Sequence, residues 1–133
     1  MGEQASGPFE VNMSPLEAWQ KDGPLGRMSI DKRFHGPLEA TSQGEMLSVM
    51  NPALGSGGYV ALERVSGTLG GRKGTFVLLH SATMTRGEGA LSVTVVPDSG
   101  TGDLAGLTGT MRILIAPDGS HSYDFQYALP ATR

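Results

Sequence analysis

The stretch Val95-Val96-Pro97-Asp98-Ser99-Gly100-Thr101-Gly102-Asp103-Leu104-Ala105-Gly106-Leu107-Thr108-Gly109-Thr110 sets four glycines between two apolar runs, in the manner of a phosphate-cradling loop. A nucleotide loop of the G-x-G-x-x-G kind must open a helix, because the helix's first amides hold the pyrophosphate. Here the chain continues as Met111-Arg112-Ile113-Leu114-Ile115 and is closed by Pro117-Asp118-Gly119. That is a strand followed by a turn. The glycines therefore predict corners of an all-β fold, and no nucleotide site.

Working outward, the same punctuation recurs. Turn residues stand at Lys21-Asp22-Gly23-Pro24, His35-Gly36-Pro37, Asn51 to Gly58, Gly67 to Gly74, Arg86-Gly87-Glu88-Gly89, Pro97 to Gly102 and Pro117-Asp118-Gly119. Seven turns leave eight segments. Between them apolar residues alternate with period two: Phe9, Val11, Met13; Met28, Ile30, Phe34; Tyr59, Ala61, Val65 around Glu63; Phe76, Leu78, His80; Leu91, Val93, Val95; Met111, Ile113, Ile115; Tyr123, Phe125, Tyr127. Only Pro15 to Lys21 has the makings of a helical turn, and Trp19 could equally end the first strand. Eight strands on short connections predict an antiparallel meander that hides its edges by closing into a barrel.

Two stretches, Gly71 to Leu79 and Gly106 to Leu114, both read Gly-x-x-Gly-Thr and then a strand. Two strands entered through the same bent corner account for this better than a true repeat, since nothing else recurs at that spacing. Thr75 to Leu79 and Arg112 to Ala116 are apolar on both faces, whereas a barrel strand with a wet exterior alternates cleanly. The N-terminal segment or a second subunit is expected to cover part of the outer wall, which makes a homo-oligomer an expectation.

The 133 residues make one domain, 1–133, with residues 1–8 expected to be a flexible extension. The absence of cysteine removes disulfides, thiolate metal sites and cysteine nucleophiles. Ten basic against 13 acidic residues, scattered along the chain, leave no footprint for nucleic acid or an anionic membrane. Met1-Gly2 with Ser6 fits the bare myristoylation pattern, but one acyl chain anchors only with a second signal, and none is present. The expectation is a soluble, cytoplasmic protein without a cofactor.

The order of marks Phe34-x-Gly36-x-Leu38-Glu39, Tyr59, Glu63, Gly67, Gly71-Arg72, Phe76, His80, Val95-Val96-Pro97, Ser99-Gly100-Thr101-Gly102-x-Leu104-x-Gly106-Leu107-x-Gly109, Gly119, His121-x-Tyr123 and Tyr127 resembles a family of small bacterial proteins known only as a domain of unknown function. That family resembles the allene oxide cyclase-like, or calycin-like, barrels. The resemblance covers about residues 28–129 and implies an eight-stranded antiparallel barrel. It supplies no catalytic residues. Kinship to allene oxide cyclase implies a lumen suited to an oxidised acyl chain, as fold-level analogy only.

An eight-stranded barrel is either filled by side chains or wide enough for one small ligand. Glu63 and His80 are the first candidates for a catalytic role, because each shares a strand face with apolar neighbours. If their strands pair across the Gly67 to Gly74 hairpin they lie close, as a buried ion pair or a carboxylate perturbed by burial. Tyr59, Phe76, Tyr123 and Tyr127, with Trp19, are candidate ligand-contacting aromatics, and Met28, Met46, Met50 and Met111 candidate adaptable fillers. His35, His80 and His121 form no metal-binding motif. Ser99 lacks the G-x-S-x-G setting of a nucleophile, and Arg64, Arg72, Lys73, Arg86 and Arg112 are too dispersed for a phosphate site.

Three functions stay open on the sequence. The first is a module binding an apolar or amphipathic small molecule in the lumen. The second is a cyclase or isomerase in which Glu63 stabilises positive charge or shuttles a proton. The third is an assembly module with a filled barrel.

Overall fold

A computed structural model describes residues 2–130, so Met1, which begins the acylation pattern, lies outside the described residues. Eight strands, β1 (Glu3–Leu16), β2 (Gly26–Phe34), β3 (Leu38–Asn51), β4 (Ser56–Leu69), β5 (Arg72–Thr85), β6 (Glu88–Val95), β7 (Thr108–Ile115) and β8 (His121–Ala128), follow one another as an antiparallel meander. The sheet closes into a barrel in strict chain order, β1 pairing with β8. This is the expected fold class and strand count.

Two details of the chain ends of β1 differ from expectation. Residues 3–8 are not a loose extension, because Glu3 to Phe9 hydrogen-bond along β8 and supply the closing seam of the barrel. Beyond β1 the chain forms bends and turns, not a helical turn, and Trp19 sits there 88% exposed. With Asp22, Gly23 and Pro24 crowded behind it, that segment has no run of helix formers to propagate a turn.

Glycine placement follows local geometry. The β4–β5 connection is only Gly70-Gly71, at φ 57° and 84°, the two-residue turn whose twist matches the flanking strands. Gly71 and Gly106, the first glycines of the two echoing stretches, share φ near 84° and 81°, so the echo reflects one backbone requirement met twice.

The decisive stretch does more than turn a corner. After β6 its amides continue along β5, Val96 N donating to Val77 O (2.9 Å) and Thr101 N to Thr75 O (2.8 Å). The hydroxyls of Ser99 and Thr101 accept from the amides of Val77 (3.0 Å) and Thr75 (3.1 Å). The 3-10 turn Gly102–Leu104 then drives Leu104, and after it Leu107, fully into the core. The segment is a plug for one end of the barrel.

Packing divides the interior in two. Beside the plug, Phe34, Leu38, Leu69, Phe76, Tyr123, Phe125 and Tyr127 fill the lumen. Phe125 stacks between Phe76 (centroids 5.8 Å) and Tyr127 (5.2 Å). At the other end β3, β4 and β5, of 14 residues each, outrun β7 and β8, of eight. Strands β6 and β7 share a single register pair, Thr94 with Thr110, and separate beyond it. That end is an open cup.

The outer wall carries Leu47, Val60, Leu62, Leu79 and Leu114 in exposed positions. The N-terminal segment does not cover them, because the barrel uses it as a strand. Among the described residues no helix is long and apolar enough to cross a membrane.

Candidate functional site

Register places a polar cluster where the packed half meets the cup. Across β2 to β5 the inward residues form successive rungs: Lys32, Ser42, Val65 and Phe76; then Ile30, Gly44, Glu63 and Leu78; then Met28, Met46, Ala61 and His80. Glu63 thus stands one rung above Lys32 and Ser42 and one below His80. Diagonal neighbours of this kind are within reach of long side chains.

All four polar groups are buried: Glu63 is 1% exposed, Ser42 1%, His80 3% and Lys32 7%. Lys32 Nζ donates to Glu63 Oε1 at 2.8 Å, and Ser42 Oγ donates to Oε2 at 2.5 Å. His80 Nε2 lies 2.5 Å from Oε1. The Lys32 ammonium also stands 5.2 Å from the Phe9 ring centroid and 5.8 Å from that of Phe34, so aromatic faces solvate what water does not.

Burial alone pushes the Glu63 carboxyl up. The hydrogen bond from His80, the charge of Lys32 and the bonds from Lys32 and Ser42 outweigh it and hold the group at about 2. Glu63 is therefore a carboxylate at neutral pH, and an ionised carboxylate only accepts. The proton between it and His80 belongs to Nε2, which leaves Nδ1 as the imidazole's second nitrogen. Among the described residues no buried side-chain nitrogen or oxygen lacks a partner.

Above the cluster lies a cavity of about 460 Å³ lined by Met46, Met50, Tyr59, Ala82, Met84 and Leu91, among others. It reaches down to Met46, on the same rung as His80. Tyr59 is one rung higher, and its hydroxyl is pushed above its ordinary value by burial and then by the nearby Glu63 charge. The cup is apolar-walled, and the buried cluster is the floor beneath it, with none of its four groups among the residues that line the cavity.

Gly44 makes room for this floor. It pairs with Glu63, and a Cβ there would run into Leu62 O and the Glu63 backbone. Gly44→Val is expected to cost about 1–3 kcal/mol by overpacking. Urea denaturation, read as a fall in midpoint at constant slope, checks this.

Sequence comparison matches the description "Protein of unknown function (DUF3224)" to residues 5–127. The chain belongs to this family. Among solved structures, one from the DUF3224 family of Shewanella oneidensis MR-1, itself described as of unknown function, shares 47% identity. It superposes with a TM-score of 0.92, over 99% of this chain and 100% of that one. No curated protein matches.

In this DUF3224 protein Glu63 and His80 come together across the β4–β5 hairpin, as expected if those strands pair, and Tyr59 lies on the same inward face of β4. Phe76, Tyr123 and Tyr127 point inward too, but into the packed half. The Tyr123 hydroxyl donates to His35 O at 2.7 Å and accepts from Leu38 N at 3.1 Å. Trp19 does not face the lumen. Its place on an exposed turn removes it from the cup, because the strand register that would aim it inward ends at Leu16.

Lys32 and Ser42 were missed. Asp31-Lys32-Arg33 reads as a solvated charge run, yet Lys32 shares strand parity with Ile30 and Phe34, and that alternation was the available signal.

Proposed function

We propose that this DUF3224 protein binds a small apolar or amphipathic molecule in the open half of its barrel. What carries the reading is the change of character along one lumen: aromatic side chains fill it below Glu63, and above His80 a cavity of about 460 Å³ stands open. A module whose only task was to be a solid barrel would have no need of a buried ion cluster between its packed half and such a cavity, since apolar packing supplies the same stability. The resemblance to allene oxide cyclase-like barrels drawn from the sequence marks alone would, as fold analogy, suggest an oxidised acyl chain.

A panel of fatty acids, fatty alcohols, alkylphenols and terpenoids should contain members that raise the melting temperature. A ligand at a hundred times its dissociation constant adds about 2.7 kcal/mol, several degrees for a domain of this size. No shift across the panel would count against the reading.

A second reading rests on the outer wall, where Leu47, Val60, Leu62 and Leu79 line a groove of about 470 Å³ beside Arg27 and Glu45, themselves paired at 2.7 Å. This face joins two copies of the chain. Sedimentation should then give a dimer that Leu62→Glu converts to monomer, and a wild-type monomer at high concentration would exclude the reading.

A further inference from the structure

The sequence holds seven methionines and no cysteine. Register sends five of them, Met13, Met28, Met46, Met50 and Met84, to the inward face of the open half, from β1, β2, β3 and β5. Packing does not account for this concentration. A methionine that fills a core gap is enclosed by it, whereas Met50 and Met84 stand 56% and 41% exposed at the mouth of the cup.

These two side chains are set on either side of one glycine. Met50 on β3 and Met84 on β5 are the lateral partners of Gly57 on β4, and both line the same cavity. A Cβ at Gly57 would run into Met50 Sδ, so that sulfur lies against the strand that separates the two methionines. Adjacent strands are about 4.8 Å apart, and the flexible Met84 side chain, with three rotatable bonds, spans that single step. The other lateral partner of Met84 is Gly89, which adds no side chain to hinder it.

We propose that the mouth of the cup holds a soft monovalent cation, copper(I) or silver(I), between the thioethers of Met50 and Met84. Donor chemistry decides the class. Thioether sulfur selects copper(I), whereas calcium and magnesium require oxygen ligands and zinc takes thiolate, imidazole or carboxylate. Among the described residues the cavity lining offers no carboxylate, imidazole or thiol. The Tyr59 hydroxyl is held above its ordinary value by burial and then by the Glu63 charge, so it supplies no phenolate at neutral pH. A divalent ion entering this wall would give up its water with no anion to replace it. The inference does not depend on the small-molecule reading, although both use the same cup.

Silver nitrate is the probe, titrated in chloride-free buffer into protein carrying 13C at its methionine methyl groups. Binding should move the Met50 and Met84 signals together and saturate at one ion per chain, while the signal of Met111, buried in the core, stays in place. Zinc sulfate in the same titration should move neither. Met50→Leu combined with Met84→Leu keeps the apolar wall at nearly the same volume. It should weaken silver binding by at least about ten-fold in calorimetry and leave the melting-temperature shifts given by apolar compounds as they are in the wild-type protein. Silver that moves neither methyl, that moves Met111 equally, or that binds the double variant as tightly as wild type overturns the proposal and leaves the small-molecule reading standing. Zinc that moves the same two methyls overturns the assignment to a soft ion. Silver binding as described, with no apolar compound bound, supports the cation site and counts against the small-molecule reading alone. The methyl shifts of the wild-type protein decide the matter even where the double variant does not fold.

Discussion

Replacing Glu63 with Ala should cost about 3–5 kcal/mol, because it strands the Lys32 ammonium in a nearly dry interior and leaves Ser42 and His80 without their acceptor. The loss comes from the uncompensated partners more than from any large net worth of the ion cluster. A double variant, Lys32→Met with Glu63→Leu, should therefore recover the part of the stability that Glu63→Ala loses through the stranded ammonium, since matched apolar volume can replace a buried pair at little cost, while Ser42 and His80 stay without their acceptor. Urea denaturation of the single and double variants reads this directly. A Glu63→Ala loss below about 1 kcal/mol would mean that water reaches the cluster.

The same residue sets the acid limit. Its carboxyl sits at about 2 in the folded chain against an ordinary 4.5, and a group whose value is depressed by folding stabilises the fold above its unfolded value. The contribution, about 3 kcal/mol, is present in full above about pH 5 and is lost as pH falls from there toward 2. Glu63→Gln should flatten stability against pH in that window.

The second large effect belongs to the packed half. Phe125, wholly buried between Phe76 and Tyr127, should cost about 3–5 kcal/mol on truncation to Ala. Phe125 lies on the plugged side of Glu63, so a folded Phe125→Ala protein should still bind its ligand with unchanged affinity. A parallel loss of binding would show that the two halves of the lumen are not independent.

What the sequence reveals and conceals follows from the range of the interactions involved. Turns were legible because glycine, proline and aspartate mark backbone requirements within two or three residues, and Gly70-Gly71 and Arg86-Gly87 meet theirs in place. The inward faces were legible for the same local reason, from alternation along Tyr59, Ala61, Glu63 and Val65. The proximity of Glu63 and His80 needed only one hairpin. Lys32 and Ser42, by contrast, reach Glu63 from two other strands, and their role depends on register between β2, β3 and β4. The division of the lumen depends on strand length, for β3 to β5 outrun β7 and β8, and no period in the sequence reports that. The Val95 to Thr110 stretch announced a turn; that Leu104 and Leu107 plug the barrel is a consequence of tertiary packing.

The claim that function resides in the cup is tested most directly by blocking it. Ala82 lines the cavity one rung above His80, and Ala82→Phe fills it without touching the ion cluster. Dissociation constants for one ligand that stabilises the wild-type protein, measured by calorimetry on both proteins, should differ by at least about ten-fold, a loss of about 1.4 kcal/mol. Equal affinities would place the ligand elsewhere on the barrel and contradict the account.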